Sequence, residues 1–102
     1  MKDFKVRIGC YTWQVKFVDV QELPTNDGET RYNTFEILIR KTLEEPVRRL
    51  CFIHEVVHAL LGTQGRCYQK QFELEDVCEF IAWRFNEIQD IIETYENNQT
   101  RV

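Results

Sequence analysis

The chain has 102 residues, 43% of them hydrophobic and 29% charged, with a formal net charge of −4. That is sequence enough for one domain around one modest core, with the composition of an ordinary globular protein. The excess of acid argues against nucleic acid and against anionic membrane as partners, because both reward clustered Lys and Arg. The pair Arg48-Arg49 reads as a solvated helix face. No run of 18 apolar residues is present, and Met1-Lys2-Asp3-Phe4-Lys5 has no apolar signal core, so a cytoplasmic location is expected. The cysteines Cys10, Cys51, Cys67 and Cys78 show no C-x-x-C spacing and are expected to be reduced thiols, Cys67 the most exposed.

In chain order, Phe4 to Ile8 alternates apolar and polar, the period of a strand with one wet face. Gly9-Cys10 is a turn, and Trp13 to Val20 alternates again, so the two runs are expected to form a hairpin. Leu23 to Gly28 carries turn chemistry. Arg31 to Phe35 is expected to be a short strand and Glu36 to Arg40 a firmer one. A capping box, Thr42-Leu43-Glu44-Glu45, opens a helix in which Pro46 is tolerable in the first turn. The helix is expected over about 44–62, apolar nearly all round and buried against both the sheet and another helix, with Gly62 as its stop. A polar connection, Gly62 to Lys70, leads to a second helix over about 71–97, its apolar residues recurring at three and four. Residues past Asn97 are expected to fray. The whole is a single α+β domain, 1–102: a small, mostly antiparallel N-terminal sheet, about 4–41, packed on two helices.

Inside the first helix stands His54-Glu55-Val56-Val57-His58, which holds both histidines of the chain. Residues four apart share a helix face, so the two imidazoles sit side by side with Glu55 next to them. H-E-x-x-H is the zincin signature: two His ligands for zinc, and a Glu acting as general base on the metal-bound water. An acid beside an apolar run is costly to bury without a partner, so this set is expected to face a cleft.

A catalytic zinc usually has three protein ligands and one open position. No third histidine exists, so the third ligand must be a carboxylate or a thiolate. The longer metzincin pattern would need Gly at Leu61 and His at Gln64, and is excluded. The second helix offers Glu73, Glu75, Asp76 and Glu79. Glu75, at the edge of the apolar stripe, fits best, and Glu79 is the alternative one turn later. Cys51 shares a face with His54, but free cysteines are more often small buried apolar residues.

His54-Glu55-x-x-His58 followed by Glu75-x-x-Cys78-x-x-Ile81-Ala82 resembles the E-x-x-A-x-x-F-A arrangement of the ImmA/IrrE-like zincins. From Val6 to about Ile92 the chain looks closer still to small phage-encoded metallopeptidase-like proteins. They share a strand like Val6-Arg7-Ile8-Gly9, an Ile-x-Ile strand like Ile37 to Ile39, and a helix ending His-Glu-x-x-His-Ala, as His54 to Ala59 does. Cys78 stands at a small-residue position of the pattern. The resemblance implies a gluzincin-like site: one zinc per chain on His54, His58 and Glu75, with Glu55 as the catalytic base.

The function expected is a zinc metallopeptidase-like hydrolase acting on a protein or peptide, with no nucleic-acid or membrane partner. Its location would be the host cytoplasm if phage-encoded. A strand bordering the cleft, Glu36 to Arg40, is expected to hold extended peptide. Tyr68 or Tyr32 would supply the oxyanion donor. The alternative is a non-catalytic zinc-binding phage regulatory or interaction protein, since 102 residues leave little substrate wall beyond the site.

Overall fold

The structure is a computed structural model that describes residues 1–63 and 74–100, with side chains described for 1–62, 81 and 84–99. Four strands and two helices follow one another: β1 (Phe4–Ile8), β2 (Tyr11–Val18), β3 (Gly28–Arg31), β4 (Glu36–Arg40), α1 (Glu45–Thr63) and α2 (Leu74–Thr100). This is the α+β class expected. No described helix is long and apolar enough to cross a membrane.

β1 and β4 fall where they are expected, β1 alternating and β4 buried through Ile37, Leu38 and Ile39. In β1, Val6 and Ile8 are buried while Lys5 and Arg7 are exposed. Gly9 turns the chain at φ 64°, a left-handed conformation that only glycine adopts without strain. β1 and β2 then pair antiparallel from Phe4↔Val15 to Ile8↔Tyr11. β2 begins two residues earlier than expected and ends at Val18.

The strand order is β1-β2-β4-β3. β1–β2 and β3–β4 are antiparallel, but the central pair, β2–β4, is parallel. After β2 the chain crosses to the far edge, forms β3, and returns as β4 between the two. The third strand lies at Gly28–Arg31 and not at Arg31 to Phe35, which is mostly turn. Phe35 holds φ 55°, a left-handed conformation unusual for a bulky residue. Its ring stacks on Tyr11 at 4.7 Å and meets the Trp13 edge at 5.3 Å, so packing offsets the strain.

Both helices lie on one face of the sheet. Val6, Ile8, Trp13, Val15, Ile37 and Ile39 meet Phe52, Val56, Ala59 and Leu60 of α1 and Ile88, Ile91 and Tyr95 of α2. The opposite face is covered locally, where the loop after β2 folds Leu23 over Val18 and Leu38. Phe52 and Tyr95 stack at 4.7 Å, with Phe4 within 6.4 Å of both rings. Each such fully buried side chain stabilises the fold by about 1.5–3 kcal/mol.

α1 starts later than the capping box implies. The first intrahelical bond runs from Arg48 N to Glu44 O, 2.8 Å, so Glu44 and not Thr42 is the cap. Nor is α1 apolar all round in its packing: Val47 and Leu50 stay exposed, Leu50 at 65%. α2 extends to Thr100 and does not fray at Asn97.

Gly62 lies inside the last turn of α1, and the need for glycine there is spatial. A Cβ at that position would stand 2.0 Å from the Tyr32 ring, whose hydroxyl donates to His58 O at 2.8 Å. Gly62→Ala should therefore destabilise the fold by about 1–3 kcal/mol, the usual cost of overpacking. Combined with Tyr32→Ala it should become neutral, or stabilising by up to about 1 kcal/mol through helix propensity. Urea midpoints of the two single variants and the double variant measure that reversal.

Candidate metal centre

The two imidazoles of the motif stand on the exposed face of α1. His54 Nε2 and His58 Nε2 are 3.1 Å apart, with ring centroids at 4.8 Å. Two nitrogens bonded to one tetrahedral zinc at about 2.0–2.1 Å stand roughly 3.3 Å from each other. The pair is thus close to the separation a shared ion requires, and both rings are open to solvent. The residues present fit two of the ligands of such a site.

Glu55 turns toward β3, at the edge of that face. It is only 7% exposed. The Thr30 hydroxyl donates to Glu55 Oε1 at 2.7 Å and lies 3.1 Å from the Glu55 backbone oxygen. The sequence offered no partner for this acid; the structure supplies one from a strand 25 residues earlier. A cavity of about 390 Å³ opens beside it, lined by Asp27, Gly28, Leu50, Cys51, His54 and Glu55 among others. The cavity gives the carboxylate a path to solvent that its burial alone would deny.

Gly28 makes this approach possible. A Cβ there would lie 2.6 Å from Cys51 Sγ and 3.1 Å from Glu55 Cγ. The start of β3 is therefore seated directly on α1.

β3, and not β4, is the strand that borders the site. β4 is interior, paired on both sides, so the expected strand at Glu36 to Arg40 has no edge to offer a peptide. Arg40 N donates to Asp27 O. By the antiparallel alternation, Glu29 and Arg31 bond to β4, while the backbone groups of Gly28 and Thr30 face away from it.

Tyr32 is near the motif, but its hydroxyl is bonded to His58 O and its ring covers Gly62. It holds the helix; as an oxyanion donor it would have to give up that bond. Tyr68 lies outside the described residues, as do Glu73 and Cys67.

Glu75, Asp76 and Glu79 fall in the first turns of α2, and their side chains lie outside those described. α2 runs antiparallel to α1: Phe52 stacks on Tyr95, Arg49 pairs with Glu96 at 3.0 Å, and Arg48 donates to Gln99 at 3.1 Å. That register sets the stretch from Ile88 to Ile92 abreast of His54 and His58, with Glu75 and Glu79 well toward the helix N-terminus. Among the described residues, no group of three His, Cys, Asp or Glu side chains is arranged to hold a metal.

Cys51 is a free, half-buried thiol. Burial, with the negative charges of Glu55 and Asp27 adding to it, pushes its pKa up to about 11. It therefore remains a neutral thiol at physiological pH, the small, largely apolar residue expected. The sign for reactivity follows, because only the thiolate attacks. Alkylation of Cys51 by iodoacetamide should be slow at pH 8 and rise with pH until about 11. The rate at Cys51, read by peptide mass spectrometry across that range, measures this; a plateau near pH 9 would contradict it.

Comparison with protein-family models, with curated proteins and with solved structures finds no match for the chain.

Proposed function

We propose that the chain is a minimal zinc metallopeptidase-like hydrolase, of the zincin kind that its H-E-x-x-H motif resembles. The observation that carries the reading is the pairing of His54 Nε2 and His58 Nε2 at 3.1 Å on an open helix face, one residue from a cavity-lining carboxylate. His54 and His58 would hold the ion; the resemblance implies Glu75 as third ligand, although the register of α2 leaves it toward the helix N-terminus. When bound, zinc supplies Lewis acidity, polarising a carbonyl and making a nearby water more acidic.

The rest is work for the chain's own residues. Glu55 accepts the proton of the attacking water at a carboxylate oxygen and can return it to the leaving amine. Thr30 donates to Oε1, and among the described residues no hydrogen bond is made to Oε2, so Oε2 would take that task. The outer edge of β3, through the backbone of Gly28 and Thr30, offers an extended peptide its hydrogen bonds. Such a peptide would run past the cavity beside Glu55.

A second reading keeps the zinc and drops the chemistry: a regulatory or interaction protein of phage type. It is favoured by the commitment of the Tyr32 hydroxyl to His58 O, which removes a described candidate for the oxyanion donor. A proteolysis assay on candidate partners separates the two readings.

Two outcomes are expected. First, the purified protein should hold about one zinc per chain, the stoichiometry of a single site. The His54→Ala, His58→Ala double variant should lose it, and Glu75→Ala should weaken it far more than Glu79→Ala or Glu73→Ala. Metal analysis by mass spectrometry decides; full occupancy in the double variant would sink the site. Second, Glu55→Gln should keep zinc and fold but lower peptide hydrolysis by about 10²-fold or more, the scale of a general base. Turnover of a fluorescence-quenched mixed peptide library reads this. An undiminished rate would remove Glu55 from the mechanism.

A further inference from the structure

A general base works only if its carboxylate is held in one orientation, and a free Glu side chain has three torsions to freeze. Glu55 is held from outside its own helix. Thr30 donates to Oε1 at 2.7 Å, a charge-assisted bond of good length. The donor is itself rigid. Thr30 is β-branched and so stiff at χ1, and its backbone is fixed opposite Ile37 in the β3–β4 ladder. One residue of strand thus connects the sheet to one oxygen of the acid.

We infer that Thr30 is the positioning residue of the site: its hydroxyl fixes Glu55 Oε1 and leaves Oε2 as the oxygen that takes the proton. The inference rests on the reading of Glu55 as base given above. It assigns a role to a residue that carries no motif and lies far from the H-E-x-x-H sequence. It also gives β3 two tasks at adjacent atoms. The Thr30 backbone faces the edge where a peptide would lie, and the Thr30 side chain holds the base.

A structural bond that merely satisfies a buried acid would look the same in a static picture, so the test must separate the two. The proteins are the zinc-loaded wild type, Thr30→Val, Thr30→Ser, Glu55→Gln and the Thr30→Val, Glu55→Gln double variant. The probe is acetohydroxamic acid, a zinc-directed molecule whose O–H proton a neighbouring carboxylate accepts. Its affinity is measured by calorimetry, alongside zinc content and a thermal melt.

Thr30→Val should keep one zinc and bind the probe about five- to tenfold more weakly, the scale of one hydrogen bond. Thr30→Ser, which keeps the hydroxyl, should stay within about twofold of wild type. In the Glu55→Gln background, Thr30→Val should add no further loss, because Thr30 acts through the base. If Thr30→Val does not fold, Thr30→Ala takes its place in both backgrounds. Wild-type affinity in the variant lacking the hydroxyl, or an equal loss in both backgrounds, overturns the role of Thr30 alone. A wild-type chain that takes up no zinc, or takes up zinc but not the probe, overturns the hydrolase reading and Thr30's role with it.

Discussion

The seating of β3 on α1 is the contact on which the rest of the structure depends. Gly28 lies under Cys51 and Glu55, Thr30 bonds to Glu55, and Tyr32, just past the strand, bonds to His58 and covers Gly62. Every second residue of the strand meets the next turn of the helix. Two residues of strand advance about 6.6 Å and one helical turn about 5.4 Å, close enough for three successive contacts before the mismatch accumulates. Strand and helix run in the same direction, so this short ladder fixes both the axial position and the rotation of α1. It needs a glycine at the start, where a Cβ would meet Cys51 and Glu55, and another at the end, where the Tyr32 ring lies on Gly62.

Once the rotation is fixed, the fate of each motif residue follows from the helical period. Phe52, Val56 and Ala59 turn into the sheet. His54 and His58, each two positions from Val56, are carried roughly 200° round and emerge in solvent. Glu55 lies between the two faces, at the line where β3 touches. The same rotation directs Phe52 toward Tyr95 and so ties α2 to the motif helix through the aromatic cluster. Packing in the interior and the exposure of the two imidazoles are therefore one constraint seen from opposite sides of the helix.

Much of this was legible in the sequence, and what was not has a physical cause. β1 carries alternating side chains and β4 a short apolar run, Ile37-Leu38-Ile39, between two charged residues, and both were located. β3 is Gly-Glu-Thr-Arg, with no apolar residue to announce it. It is a strand because its backbone pairs with β4 and its small side chains let a helix come close, properties that no periodicity records. In the stretch Arg31 to Phe35, where a strand was expected, the two aromatics serve the turn instead: Tyr32 covers Gly62 and Phe35 packs on Tyr11 and Trp13. The parallel pairing of β2 with β4 was hidden for another reason. It depends on a crossover that places β4 between β2 and β3, against the edge of the first hairpin. At the site, i, i+4 spacing gave the His pair directly. The burial of Glu55 and its bond to Thr30 depend on a contact 25 residues distant, beyond the reach of local pattern.

Glu55 also bears on which functional reading the chain favours. A carboxylate at 7% exposure gives up most of its hydration, and one hydroxyl bond returns only part of that. An apolar side chain of similar volume would pack against Gly28 and Cys51 without that cost, as replacements of buried charges often do. A site that only clipped two histidines to a metal would have no use for the acid, since neither imidazole needs it for geometry. Stability and local packing both argue for a different residue at this position, and the fold instead devotes a glycine and a threonine to accommodating it. Local rules are broken in this way most often where chemistry requires the offending group. The costly residue is the one a hydrolytic mechanism needs, and that weighs on the side of the enzyme.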